Sequence, residues 1–350
     1  MKVSRDVNLS GYTSLKTGGP AKQLVELDTG DDLQEAIGQF AMEGPVWILG
    51  YGTNCLVSDK GLPGTVIINK SGGIEEIGPR KFKVDSGVNW DDFIQHAIAN
   101  DAWGLEFTSG IPGGVGAAVA GNIAAYGHKV ADCFVEATLL DTSNHSVGVR
   151  DASFFAFDYR TSSLQQPENH KLVVLDATFE FQDSPTGELG YASALAAAKD
   201  IGVEPDSLEN RRKIILETRS RAGSLLKDAA EGPWTAGSFF KNPVVSEEKA
   251  QAIIDHEETN ITREQLYVQN RIHGQNSMRV SAAHVLLAAG FRRGQAWENV
   301  GLHPDHILKI ENLGNASSRE MYDVVQVILR TVKDKLDIDL VPEVRFLGEF

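Results

Sequence analysis

Between Ser109 and Gly127 the chain reads SGIPGGVGAAVAGNIAAYG, nineteen residues without a charge, six of them glycine and five alanine. Glycine lets a backbone turn through positive φ and approach a flat or anionic surface with no side chain in the way. So much glycine in one place costs folding entropy, and the usual compensation is a set of backbone amides presented to a phosphate-bearing ligand. A tight structural turn needs one or two glycines rather than six. A second loop, in LGYGTNCLVS, places Gly50, Gly52 and Asn54 directly after the apolar run Val46 to Leu49, where loop amides commonly meet a cofactor phosphate. Neither loop is the dinucleotide fingerprint: counting G-x-G-x-x-G from Gly50 puts Cys55 at the third glycine, and from Gly114 it puts Val119 there. The pair therefore points to a nucleotide-binding architecture other than the Rossmann fold.

A chain of 350 residues exceeds one ordinary core and implies two or three domains. Its N-terminus has no apolar leader and no run of about 18 apolar residues occurs, so a cytoplasmic protein is expected. Cys55 and Cys133 lack metal-ligand spacing, so they read as small core residues, with no metal site. The net charge of −15 argues against a nucleic-acid partner. Arg219, Arg221, Lys241, Arg271, Arg279, Arg292 and Arg293 all fall in the second half, which leaves room for a local positive cleft that takes a small anion.

Periodicity assigns strands to Gln23–Leu27, Val46–Leu49, TVIIN after Gly64, FKVDSGVNW, Ala137–Leu140, Ser146–Val149 and Leu172–Phe181. Helices are expected over Asp31–Ala41, over Trp90–Asn100 with Asn89 as cap, over Ser207–Arg219 and near Glu247–His256. Ser281 caps AAHVLLAAG, which Gly290 closes, and Ser317 with Glu320 forms a capping box ahead of an apolar face of Met321, Val324, Val325, Ile328, Val332 and Leu336. The last strand is VPEVRFLGEF. Within it Glu343 stands among hydrophobic residues, a costly place for a carboxylate unless a cation or a task compensates.

In order, YTSLKTGGPA, ILGYGTN, SGIPGGVGAAVAGNIAAYG, FDYRTS, AGSFFKNP, VGLHPDH and VPEVRFLG resemble the successive motifs of the UDP-N-acetylenolpyruvoylglucosamine reductases, the MurB family of peptidoglycan synthesis. The resemblance spans nearly the whole chain. It implies an α+β fold: a two-lobed FAD-binding domain of the vanillyl-alcohol-oxidase (PCMH) type plus a C-terminal α/β substrate-binding domain. Lobe 1 would be residues 1–70, lobe 2 residues 71–225 and the substrate domain 226–316, with the helix and strand of 317–350 returning to lobe 1.

The resemblance further implies a monomeric flavoenzyme with non-covalent FAD and NADPH as reductant, acting on the enolpyruvyl double bond of UDP-N-acetylglucosamine enolpyruvate. Gly50, Gly52, Thr53 and Asn54 would meet the flavin pyrophosphate, and Ile111, Pro112, Gly113, Gly114, Gly121 and Asn122 would line the flavin. Arg160 matches the arginine that holds the substrate carboxylate, Ser238 the proton donor and Glu343 the carboxylate at the same centre. Tyr159 matches a residue beside the substrate, Tyr191 resembles a lid tyrosine that closes over the diphosphate, and Lys241 and Asn242, which follow the serine, would also bind substrate. The basic residue for the diphosphate is Arg221 or Lys227. A related oxidase with covalent flavin would want a histidine tether, and the nearest to the glycine stretch, His128, falls just outside it. A binder without turnover would not need Arg160, Ser238 and Glu343 together.

Overall fold

The computed structural model describes residues 1–27, 32–70, 72–225, 232, 234–263, 265 and 278–350. The chain divides into two compact units, one of residues 1–7, 21–52 and 63–225, the other of residues 8–20, 53–62 and 226–350.

In the first unit, β1 (Lys2–Asn8), β2 (Pro20–Glu26), β3 (Val46–Leu49) and β5 (Leu62–Ile68) form a sheet of order β1-β2-β5-β3. The intervening β4 (Cys55–Val57) belongs to the second unit. The β3–β5 pair is parallel, Leu49 opposite Ile68, as expected when a connection crosses over rather than turns back. Helix α1 (Leu33–Phe40) is capped by Asp32 and buries Leu33, Ala36, Ile37 and Phe40 beside Val25, Ile67 and Leu140. Asp31, the first residue expected in that helix, lies outside the described residues.

A second sheet, order β11-β10-β12-β7-β6, is built from β6 (Ile74–Gly78), β7 (Lys81–Asp85), β10 (Phe134–Asp141), β11 (Ser146–Asp151) and β12 (Leu172–Glu180). The short hairpin β8 (Ala124–Ala125) and β9 (His128–Lys129) precedes β10. The expected strand FKVDSGVNW stops at Asp85, because Val88 N–H donates to Asp85 O and closes a turn. Helix α2 (Trp90–Ala99) follows, capped by Asn89. Its Trp90 and Phe93 join Phe82, Phe179 and Phe181 in an edge-to-face aromatic core. Then come α3 (Val115–Gly121), α4 (Ala152–Phe155), α5 (Ala192–Ile201) and α6 (Leu208–Arg221).

The second unit holds β13 (Trp234–Ser238), α7 (Glu247–Ile254), α8 (Ala282–Ala288), β14 (Ala296–Trp297), β15 (Val300–Leu302), β16 (Lys309–Asn312), α9 (Ser318–Leu336) and β17 (Arg345–Leu347). Its antiparallel sheet has the order β13-β16-β15-β14. Helix α9 presents Met321, Val324, Val325, Ile328 and Val332 to the core, as its spacing predicts, and Leu336 packs at the margin. Its capping box is present, and Asp59 adds a second cap by accepting from the Ser318 and Arg319 amides at 2.9 and 2.8 Å. The final strand is shorter than expected: Arg345–Leu347 pairs in parallel with Cys55–Val57, and ahead of it Pro342 makes an isolated antiparallel bridge with Phe240. Both cysteines are buried and free, and burial pushes the Cys55 thiol up to about 12. Among the described residues no helix is long and apolar enough to cross a membrane, and no cluster of His, Cys, Asp and Glu could hold a metal ion.

Candidate functional site

In the first unit the two glycine loops meet through one ring. Tyr51, between Gly50 and Gly52, donates its hydroxyl to Gly87 O at 3.3 Å and lies so close to Gly114 that a Cβ there would stand 3.6 Å from the ring. The glycine stretch is laced to the turn after β7. Val115 and Gly116 donate to Val88 O and Ser86 O, and Trp90 N–H donates to Gly113 O.

The glycines divide by what crowds them. A Cβ on Gly116 would sit 2.8 Å from Ser86 Cβ, so packing requires glycine there, whereas one on Gly110 would meet only the movable tip of Leu216 of α6 at 2.8 Å. Gly110 and Gly113 also occupy φ of +74° and +135°, which side chains disfavour. At Gly50 and Gly121 the nearest atoms to a Cβ are 3.7 and 3.6 Å away, in ordinary contact. The protein itself does not demand glycine there. Bare backbone is a surface that a phosphate-bearing cofactor can approach closely, and Gly50 and Gly121 offer it.

Helix α6 is tied to this loop. Arg212 grips both oxygens of Asp91 at 2.6 and 2.7 Å, and Asp91 also accepts from Gly110 N–H at 2.6 Å. Deeper, Arg211 pairs with the fully buried Glu106 at 2.8 Å and stacks over Trp103 and Phe107. His128 is likewise engaged, with its ring on Phe107 and Nε2 bonded to Thr186 O at 2.7 Å.

At the other end of α3, Asn122 takes the left-handed conformation (φ +42°) and closes the helix. Its buried amide donates to Asp158 O at 2.9 Å and accepts from Ala131 N–H at 3.1 Å. Ser162 Oγ donates to Ala120 O at 2.7 Å. Asp158 and Thr161 exchange backbone hydrogen bonds across a tight turn whose tip is Tyr159 and Arg160, the latter at φ +54°. The loop expected to line a flavin thus also aims Arg160.

Arg160 is electrostatically coupled to Tyr191 and to Arg219. Tyr191 begins α5 and meets Tyr126 edge to face, rings 5.4 Å apart. Burial, then the neighbouring Tyr159 and Tyr126, push its hydroxyl up to about 12 against the pull of Arg160. Arg219, in the last turn of α6, donates to Ser224 O at 2.9 Å and keeps a buried Nε without a partner. Burial lowers its pKa, while Tyr126 and Asp91 raise it. Guanidinium and phenol groups are donors of the type that can receive a carboxylate or phosphate. Arg221, the expected contact, instead pairs at the surface with Glu217 and Asp200 at 2.8 and 2.6 Å. Its alternative, Lys227, lies outside the described residues, as does Arg271. Tyr126 is not among the expected residues, and Arg219 enters them only as one of the basic residues that could line a positive cleft.

In the second unit Ser238 ends β13 just past Gly237, whose φ of +77° accompanies a register shift in the pairing with β16. Phe239 N–H donates to Leu308 O, Glu343 N–H to Phe239 O and Lys241 N–H to Val341 O, at 2.8 to 2.9 Å. Glu343 therefore lies beside the residue that follows Ser238. It is half-buried in a bend ahead of β17, a correction to its expected place within a buried strand. Pairing with β4 opens only at Arg345, whose N–H donates to Asn54 O at 3.0 Å. Asn54 in turn donates to Glu343 O at 3.3 Å. Asn242 accepts from Ala282 N–H at 2.9 Å at the start of α8, and its carbonyl takes a hydrogen bond from Arg279. Thr53 belongs to the second unit with Lys241 and Asn242, which follow Ser238 closely in sequence, while Ile111 and Pro112 belong to the first unit's glycine loop.

Residues 21–147 match the model of an FAD binding domain, and residues 227–347 match that of the UDP-N-acetylenolpyruvoylglucosamine reductase C-terminal domain. The reductase of Cutibacterium acnes is 32% identical over 355 residues, covering 98% of this chain and 90% of its own. That of Thermobifida fusca is 30% identical over 354 residues, covering 99% and 98%. The crystal structure of the enzyme from Thermus caldophilus superposes with a TM-score of 0.66 at 23% identity, over 99% of this chain and all of that one. The fold is the expected α+β one, an FAD-binding domain of the PCMH type with a separate C-terminal domain. The chain belongs to the UDP-N-acetylenolpyruvoylglucosamine reductase family of oxidoreductases.

Proposed function

We propose that this protein reduces the enolpyruvyl double bond of UDP-N-acetylglucosamine enolpyruvate, with NADPH as the reductant and FAD as the bound carrier. The observation that carries the reading is the hydrogen bond from Glu343 N–H to Phe239 O, which sets Glu343 beside the residue after Ser238, in a chain whose glycine loops leave bare backbone at Gly50 and Gly121. FAD, once reduced, supplies a hydride. The rest falls to the protein. Hydride addition to the terminal enol carbon leaves negative charge on its neighbour and the attached carboxylate, so fixed positive groups must receive it. In the first unit Arg160 serves that carboxylate, since a guanidinium offers paired planar donors. Tyr159 and Tyr191 flank it, and Arg219 takes the diphosphate. In the second unit Ser238 gives its proton to the enolate carbon. A hydroxyl is a weak acid, but an enolate carbon is a strong base, and placement outweighs a shifted pKa. Glu343 is protonated or paired with a cation during this step, because a free carboxylate would repel the enolate. Lys241 and Asn242 orient the substrate beyond Ser238. The molecule works as a monomer in the cytoplasm, with no nucleic-acid or membrane partner.

The test is an anaerobic titration in two steps. NADPH should bleach the flavin, and UDP-N-acetylglucosamine enolpyruvate should then restore the oxidised spectrum. Ser238→Ala should bleach normally and recover at least about a hundredfold more slowly. Equal slowing of both steps would remove Ser238 from its role, and absence of bound flavin would overturn the reading as a whole.

A further inference from the structure

Ser238 has a neighbour that the reaction as proposed does not use. Along β16, Leu308, Ile310 and Asn312 turn to the core, Leu308 and Ile310 within the apolar cluster and Asn312 donating to Leu15 O. Lys309 and Glu311 therefore project from the opposite face of the sheet, because successive strand residues alternate. Both are nearly inaccessible, at 2% and 8% exposure. Across the ladder, Lys309 is the register partner of Ser238 and Glu311 that of Thr235. Directly opposed residues share a face, with Cβ atoms about 4.5–5.5 Å apart. His303, whose N–H donates to Lys309 O, adds an imidazole with Nε2 3.6 Å from Glu311 Oε1. Asp305 and His306 complete the set from the turn before β16. Burial raises the Glu311 carboxyl while Lys309 lowers it, and burial with the Lys309 charge presses His306 down to about 4.

A lysine buried in a strand is costly unless its charge is used or compensated. Carboxylate compensation is present in Glu311, yet the pairing register also sets the ammonium-bearing residue against the one hydroxyl that must lose a proton. We propose that Lys309 is a positioning residue for proton transfer: its ammonium stabilises the oxyanion that develops on Ser238 as the serine proton leaves. The inference rests on the reading of Ser238 as proton donor. The step balances simply. The Ser238 O–H bond breaks, its electron pair stays on oxygen, the proton forms the new C–H bond at the enolate carbon, and water later returns a proton to the serine. A positive charge beside the oxygen lowers the free energy of that intermediate state without touching the hydride step.

Stopped-flow measurements on the flavin-loaded enzyme separate the possibilities. Lys309→Met should leave bleaching by NADPH within about twofold of wild type and slow recovery with saturating UDP-N-acetylglucosamine enolpyruvate at least about tenfold. Lys309→Arg, which keeps the charge, should recover to within about threefold. In a Ser238→Ala background, Lys309→Met should add no further loss, as expected of a residue acting through the serine. A purely structural Lys309 predicts otherwise: Lys309→Met/Glu311→Gln, which removes both charges, would regain the wild-type recovery rate. That rescue, or a Lys309→Met enzyme with unaltered recovery, overturns the proposal. Where Lys309→Met fails to retain flavin, Lys309→Arg decides alone, and a loss above about tenfold with flavin retained counts against the inference. Failure of the underlying reading is distinct, since Ser238→Ala would then recover at the wild-type rate whatever Lys309 does.

Discussion

Gly116 and Gly121 share one short helix and answer to different constraints. At Gly116 an added methyl meets Ser86 Cβ at 2.8 Å, whereas at Gly121 the nearest atom is 3.6 Å away. Gly116→Ala should therefore cost about 1–3 kcal/mol of stability in urea unfolding, the range for overpacking. Gly121→Ala should leave stability within about 0.5 kcal/mol while weakening FAD binding, read by flavin fluorescence on dilution. An equal loss of stability in both variants would mean that Gly121, too, is only a packing residue. The two arginines at the end of α6 form a similar contrast. Arg221 is held at the surface by two carboxylates, and such pairs contribute little. Arg219 lies within the electrostatic reach of Tyr126 and Arg160. Arg219→Met should raise KM for the substrate at least about tenfold, the worth of a charge-assisted hydrogen bond. Arg221→Met should change KM by about twofold or less.

Helix α6 shows how an element is placed by a few charged contacts. Asp91 holds both Arg212 and the Gly110 amide. Burial pushes the Asp91 carboxyl up, but these hydrogen bonds and the charges of Arg212 and Arg219 outweigh it, and the net shift is downward. A carboxyl with a lowered folded pKa stabilises the protein above its unfolded value, about 3.9, and loses that contribution as pH falls through the folded value. Unfolding free energies of wild type and Asp91→Asn, followed from neutral to acid pH, should accordingly differ most above the unfolded value of about 3.9 and converge as pH falls through the lowered folded value. A gap independent of pH would assign Asp91 a purely steric role. The helix starts at Asn89, Ser281 and Ser317 were legible in the sequence because a cap is a local event, one side chain meeting an amide two or three residues on. The brevity of β17 was not. Its partner β4 lies far back in the chain, and no local propensity encodes a register set by a remote strand.

For the molecule as a whole, a net charge of −15 places the folded chain under self-repulsion, which salt relieves. The melting temperature should rise between about 10 mM and about 150 mM sodium chloride, as the Debye length shrinks to about 8 Å. A falling melting temperature would indicate that specific ion pairs such as Arg211–Glu106 dominate instead. Removing the flavin should lower the melting temperature, and adding FAD back at about a hundredfold its Kd should restore about 2.7 kcal/mol.

The sequence by itself determined the family, the two glycine loops, most helices with their caps, and the residue types of the chemistry, because motif order, periodicity and capping are written in neighbouring residues. It also carried an unread signal in HILKIENL, where Lys309 and Glu311 alternate with apolar residues in the same way that drew attention to Glu343. Only the tertiary structure decided which glycines serve packing, that Arg219 rather than Arg221 comes within reach of Tyr126 and Arg160, that Asn122 aims the Arg160 turn, and that Lys309 opposes Ser238. Each of these depends on segments distant in sequence being brought face to face, and the free energy that selects such a pairing is a property of the assembled core rather than of any stretch within it.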